Sequence, residues 1–316
     1  MAPIVPPGRL VYGMQLPVQT KSKSTAEPWE RDAGVEELVA VAQHADRTGF
    51  FYVGVCDHIG VPAGPEADHM STTWYDCVAT LGMLAGLTTS VRLLSNVYIV
   101  AYRHPFATAK AFMTLDHLSG GRVVLGVGAG HLQGEFAALG VPFEQRGAMT
   151  DEALDGIRAA FAAEYPKLDG PRFADGGLGL GPRPVQPSIP VWIGGKARPA
   201  LRRVALRGDG WIPQATPRTR MADDIAYIRR LRAEAGITEG LDVGFITEPV
   251  HIGTPTWDLG DGPVLTGAPG EIAERMRAMA EIGVNHLQIR FRNRSLAELH
   301  DQMDAWHTQV APLLND

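Results

Sequence analysis

The sequence predicts an α/β protein, a (β/α)8 TIM barrel with an irregular insertion before the fifth strand. Three observations predict it. Short apolar runs alternate with segments whose apolar residues recur at helical spacing, the pattern of βα units around a parallel sheet. Eight such strand-then-helix pairs can be counted along 316 residues, a length that one barrel domain accommodates. No GxGxxG follows the first strand, so the rival doubly wound sheet lacks its dinucleotide fingerprint. The expectation is a single domain over residues 1–316, with the insertion around 166–190.

Each element has a local reason. Residues 10–16 read as the first strand, which Pro17 ends. Residues 18–32 form a polar loop longer than a plain connection needs, so it is expected to cover something. Val35, Leu38, Val39, Ala42 and Ala45 trace one helical face, and Gly49 stops that helix. Residues 50–56 are the second strand, followed by a Pro/Gly-rich loop over 59–73 and a helix over 74–88. The third strand covers 92–99, with a helix over 106–118. The fourth strand is the stretch 121–131, apolar and then punctuated by Gly126, Gly128 and Gly130. Glycine there permits a sharp turn or the close approach of a ligand. A helix over 149–161 follows, then the insertion, then short strands at 191–194 and 210–213 with helices at 199–207 and 221–235. The seventh strand covers 243–252, with Glu248-Pro249 as a potential break. A helix over 270–280, a strand over 285–291 and a helix over 295–310 complete the series.

The formal net charge is −6, which argues against a broad nucleic-acid surface. No apolar run approaches the roughly 18 residues of a membrane span. Residues 1–8 lack the basic-then-apolar order of a signal peptide, and the two cysteines, Cys56 and Cys77, have no CxxC spacing. A cytoplasmic location is therefore expected, with no disulfide framework.

Chemistry in a barrel sits at the carboxyl ends of the strands. Gln15, Asp57, His58, Asn96, Val97, Gly128, Gly130, His131, Gly194, Gly195, Gln214, Glu248 and Gln288 or Arg290 fall there. His58 is the sharpest candidate, because imidazole exchanges protons near neutral pH. Asp57 would support its charged form if the two touch, although adjacent residues on a strand point to opposite faces. The competing reading has Asp57 capping a turn and His58 packed in the wall. No HxH or HExxH supports a metal site among His58, His69, His104 and His131, so none is expected. There is no GxSxG, and Cys56 reads as a small buried hydrophobe. Gly194-Gly195-Lys196, before a helix starting near Pro199, reads as an anion site or a simple turn. Arg103, His104 and Lys110 offer a second basic patch, and Trp192 reads as core.

Asp57-His58, Tyr102-Arg103-His104-Pro105 and the run from Leu115 to Arg122 occur in this order. They are followed by Leu125-Gly126-Val127-Gly128-Ala129-Gly130, Glu135-Phe136, the run from Gly140 to Gly147, Pro184-Val185-Gln186-Pro187, the run from Pro190 to Gly195, and Gly208-Asp209-Gly210-Trp211. Together they resemble the bacterial luciferase-like monooxygenase superfamily, and most of all its coenzyme F420-dependent oxidoreductase branch. The resemblance runs from about Leu10 to Ile289. It implies a barrel with an insertion that holds a deazaflavin at the strand ends. It implies that Asp57 contacts the polar head of the ring and that His58 is the proton donor or base. It also implies a non-prolyl cis peptide at Asn96-Val97 backing the ring, and a cofactor phosphate on the backbone N–H groups of Gly194 and Gly195. Gly128, Gly130 and Lys196 complete the expected cofactor set, and His131, Trp74 and Gln15 the substrate-facing one. Three positions depart from the family pattern: Cys56 stands for Ser, His131 for Trp, and Asn96 for a smaller residue.

The resulting expectation is an F420-dependent oxidoreductase that moves a hydride between the deazaflavin and a small organic substrate. The alternatives are an FMN-dependent monooxygenase using reduced flavin and oxygen, with a partner reductase, and a non-catalytic ligand-binding barrel. Lys196 and Arg198 lean toward F420, whose tail is the longer anion. A homodimer is expected from the resemblance.

Overall fold

The computed structural model describes residues 3–315. Its strands, in chain order, are β1 (Val11–Gln15), β2 (Tyr52–Val55), β3 (Arg92–Ser95), β4 (Tyr98–Ile99), β5 (Val123–Gly128), β6 (Val191–Gly194), β7 (Gly210–Ile212), β8 (Asp242–Ile246), β9 (Val250–Ile252), β10 (Leu265–Gly267) and β11 (His286–Gln288). The barrel order is β3-β2-β1-β11-β8-β7-β6-β5, and a β3–β5 pairing closes it. Every pairing in it is parallel. Helices cover it outside, among them Val35–Arg47, Cys77–Leu87, Pro105–Ser119, Arg146–Ala162, Arg198–Arg207, Arg218–Glu234, Pro269–Glu281 and Leu296–Ala305. The architecture is the (β/α)8 barrel that the alternating pattern predicts.

The core has two shells. The larger lies between strands and helices, where Val53, Leu93, Val123 and Leu125 meet Leu81, Phe112, Met113 and Ile157. The smaller fills the barrel with Tyr52, Leu94, Val124, Trp192 and Ile212, and Val5 packs into it. Strands buried on both sides explain why their sequences read as continuous apolar runs. Ile4 and Val5 donate backbone N–H bonds to the Asp242 carboxylate, which also accepts from Trp192 Nε1. Trp192 is core, as its place in a strand predicts.

The third predicted strand is two pieces. β3 pairs Leu94 with Val124, and β4 pairs Tyr98 with Val127. Four residues of one strand thus oppose three of the other, so one extra residue bulges out at Ser95-Asn96-Val97. Ser95 Oγ bridges the gap, donating to the Gly126 carbonyl and accepting from its N–H, each at 3.0 Å. A Cβ on Gly126 would lie 2.0 Å from the Ser95 carbonyl oxygen. Gly126→Ala is therefore expected to destabilise the chain by about 1–3 kcal/mol or more, read as a lowered denaturation midpoint. A wild-type midpoint would contradict this packing.

Two other boundaries move, and some short elements are added. The helix expected from residue 74 begins at Cys77, because Asp76 caps it by accepting from Ala79 N. The seventh strand splits into β8 and β9 around Pro249, and β9 pairs with β10, an element the sequence reading missed. Short helices at Pro65–His69 and Gln133–Ala138 were also missed; each is too brief to show a period. Residues 163–190 contain no helix or strand, only an isolated bridge between Asp169 and Ala174. Among the described residues no helix is long and apolar enough to cross a membrane.

Candidate active site

Two adjoining cavities open at the carboxyl ends of the strands. One, of about 130 Å³, is lined by Cys56, Asp57, His58, Trp74, Val97, Tyr102, Gly130, His131 and Glu135. The other, of about 330 Å³, lies toward β8 and β11 and under the loop that follows β1. Gln15, Asn96 and Gln214 line both. Thr20, Thr25, Ala26 and Glu30 put the long 18–32 loop over the larger cavity, which answers what that loop covers.

His58 does not pair with Asp57. Its Nδ1 lies 3.1 Å from Glu135 Oε2, a residue 77 positions away. Glu135 also accepts from the Tyr102 hydroxyl at 2.8 Å and from the N–H groups of Ile59 and Gly60 at 2.7 and 3.2 Å. Burial alone would push this carboxyl up. The hydrogen bond and charge of His58, with the Tyr102 and Gly60 bonds, outweigh burial and hold it below the usual carboxylate value. A charged Glu135 fixes the hydrogen on Nδ1 and leaves Nε2 as the ring nitrogen it does not engage. The His58 ring meets Trp74 edge-on at 4.4 Å and His131 at 5.5 Å. Burial, reinforced by His58, lowers the His131 pKa. Trp74 is itself fixed by donating Nε1–H to the Ser71 carbonyl.

Asp57 has a different partner. Arg103 donates to both its oxygens, at 2.7 and 2.9 Å, and Ile99 N–H adds a third bond at 2.8 Å. The guanidinium also lies 4.0 Å over the Tyr98 ring. Burial alone would lower the Arg103 pKa; Asp57 outweighs it and the pKa is raised. Asp57 therefore ties β2 to the turn after β4 while lining the smaller cavity. The basic patch expected at Arg103, His104 and Lys110 dissolves into structural contacts. His104 Nδ1 caps a helix by accepting from Phe106 N, and Lys110 bonds the Gly181 carbonyl.

The Asn96-Val97 peptide bond is cis, at the position the resemblance implies. Asn96 Nδ2 donates to Gln288 Oε1 at 2.9 Å and reaches Gln15 Oε1 at 3.4 Å. Val97 explains two of the glycines. A Cβ on Gly128 would meet Val97 Cγ2 at 2.5 Å, and one on Gly194 would meet Val97 Cγ1 at 2.9 Å. The close approach at these two positions is therefore to Val97, not to a ligand. At Gly130, φ is +82° and the space is taken by the Phe136 ring.

The expected phosphate cradle needs correction. Gly195 N–H is donated to the Ile212 carbonyl, as a continuation of the β6–β7 ladder, so it is not free for an anion. The helix Arg198–Arg207 begins with Ala197 as N-cap and no side-chain cap, and its first-turn N–H groups are the better donors. Lys196 sits on the rim, bonded to the Ala215 carbonyl at 3.0 Å, and Arg198 is exposed. Cys56 is half-buried on the cavity wall rather than enclosed, and burial pushes its thiol up to about 11. A protonated thiol there is a poor nucleophile.

Sequence reasoning missed Glu135 and Tyr102 as site residues and read Arg103 only as part of a basic patch. The only available signal was their place in the family motifs.

Residues 12–256 match the family described as luciferase-like monooxygenase. The chain belongs to the luciferase-like monooxygenase family. An uncharacterized protein of Mycobacterium tuberculosis is 33% identical over 266 residues, covering 79% of this chain and 93% of the relative. An F420-dependent hydroxymycolic acid dehydrogenase of the same species is 32% identical over 203 residues, covering 60% of this chain and 55% of that protein. The fold also resembles the structure of an F420-dependent secondary alcohol dehydrogenase in complex with an F420-acetone adduct. That likeness has a TM-score of 0.78 at 16% identity and covers 98% of this chain and 100% of the other. As a member of the luciferase-like family with F420-dependent relatives, the chain is an enzyme of the oxidoreductase or monooxygenase class.

Proposed function

We propose that this enzyme is an F420-dependent oxidoreductase acting on a small organic substrate, with His58 as the group that moves the proton. The observation that carries the reading is the chain of hydrogen bonds in which Tyr102, Ile59 and Gly60 hold Glu135, and Glu135 holds His58. Such a carboxylate orients an imidazole whose other nitrogen is needed for proton transfer.

The residues present fit a deazaflavin. The bulge at Asn96-Val97 backs the mouth of the barrel, with Gly128 and Gly194 cleared for Val97. The first turn of the helix Arg198–Arg207, with Lys196 and Arg198, would hold an anionic tail. When bound, the deazaflavin supplies hydride transfer to or from a substrate carbon. In the oxidising direction, His58 Nε2 takes the proton of the substrate hydroxyl as a hydride leaves the same carbon. In reverse it returns that proton to the oxygen. Glu135 balances the imidazolium charge in both directions. The F420 dependence named for the hydroxymycolic acid dehydrogenase supports this cofactor over FMN.

Incubating the protein with F420 and a panel of alcohols, with oxygen excluded, tests the reading. Loss of the oxidised-deazaflavin signal is expected without oxygen. Turnover that requires FMN and oxygen would overturn it.

Glu135→Gln is expected to lower kcat at least about tenfold with little change in cofactor affinity. The pH dependence follows from the lowered Glu135 pKa. Its stabilising effect is present above the unfolded carboxylate value of about 4.3 and is lost as pH falls through the lower folded value. The stability gap between wild type and Glu135→Gln should therefore hold above that value and close below it. A gap that widens on acidification would contradict the assignment.

A further inference from the structure

The larger cavity lies under the 18–32 loop, and of its lining the sequence reading assigns roles to Gln15 and Asn96. It touches the smaller cavity through Gln15, Asn96 and Gln214, so a molecule lying in it reaches the mouth of the barrel. Its volume of about 330 Å³ is in the range of small-ligand sites. Met14, Leu16, Ile246, Ile289 and Phe291 give it apolar walls.

Two kinds of polar group interrupt those walls. The first is neutral. The hydroxyls of Thr20 and Thr247 and the Asn96 side-chain oxygen are buried and have no hydrogen-bond partner. Buried polar atoms are ordinarily paired, so three unmet groups lining one cavity mark where a ligand's hydroxyl or carbonyl would bond after small side-chain rotations. The second kind is charged, and it is already balanced. Arg290 lines the cavity, but its Nη2 lies 3.7 Å from Glu27 Oε1, which is also 3.1 Å from Arg292. Glu30, the carboxylate on the wall, accepts from Val18 N and Glu27 N. Arg290 is the one guanidinium among the residues that line this cavity, and Glu27 pairs it from behind, so the wall itself offers an anionic substrate no unpaired cation. An incoming carboxylate or phosphate would lose its hydration beside the Glu30 carboxylate.

We propose that this cavity is the substrate pocket and that it takes an uncharged, largely apolar molecule carrying a hydroxyl or carbonyl, rejecting phosphorylated and carboxylate substrates. The proposal deepens the function given above and rests on it for the reaction, but not for the binding.

Calorimetric titration of the full chain with cyclohexanol, cyclohexanecarboxylate and cyclohexyl phosphate, each with and without F420, tests it. These probes share one ring and differ in charge. Cyclohexanol is expected to bind at least about tenfold more tightly than either anion. Thr20→Val and Thr247→Val should each weaken it about fivefold, the loss of one hydrogen bond. Ala26→Trp, at the loop wall, should abolish it by filling the space. F420 titrations of the same variants report folding and an intact cofactor site. Cyclohexanol binding without F420 binding would leave the pocket standing and remove the cofactor reading. Anions binding as tightly as cyclohexanol, or a cyclohexanol affinity indifferent to both Thr→Val and Ala26→Trp, would overturn the pocket. So would the absence of cyclohexanol binding.

Discussion

Exchange of His58 for Asn is expected to lower kcat by about 10²–10⁴-fold, with F420 affinity little changed. Asn keeps a polar group at the cavity wall and can still bond Glu135, so the loop at Ile59 and Gly60 keeps its anchor. What it removes is a nitrogen able to take a proton from the substrate. Steady-state kinetics beside an F420 titration separate the two effects. A full-rate His58→Asn variant would move proton transfer to another group, of which His131, 5.5 Å from His58, is the nearest imidazole.

Asp57→Ala is expected to cost about 3–5 kcal/mol of stability, a much larger loss than a surface ion pair would give. The Asp57 side chain is only 2% exposed, and its Arg103 partner is 19% exposed. Removing the carboxylate strands a guanidinium among Tyr98, Tyr102 and the Ile99 carbonyl. It also leaves Ile99 N–H without its acceptor. A chemical denaturation curve measures the loss. Adding Arg103→Met to Asp57→Ala should recover part of it, because the unpaired charge is then gone. A double variant no more stable than Asp57→Ala would show that the cost lies elsewhere, in the Ile99 bond.

The barrel was legible because burial on both faces of each strand leaves a mark in the sequence. β2, β5 and β6 are apolar throughout, and helices of ordinary length with their own faces lie between them. The bulge between β3 and β4 was not, because one extra residue does not alter an apolar run. The place of His58 and Asp57 at a strand end could be read, but their partners could not. Glu135 is 77 residues from His58, and Arg103 is 46 from Asp57. No local pattern encodes a contact across such distances. The glycines show the limit most plainly. Gly128 and Gly194 announced a close approach, and only the folded chain reveals that Val97 makes it. The Gly195 N–H looked free in a Gly-Gly turn, yet the parallel ladder extends one residue past β6 and takes it.

A fluorescence titration of the purified chain with F420, run beside one with FMN, decides which cofactor the barrel takes. Saturable F420 binding tighter than that of FMN is expected, weakened when Arg198, beside the uncapped first turn, becomes Glu. Saturable FMN binding with no F420 binding would contradict it and turn the same barrel toward oxygen-dependent chemistry.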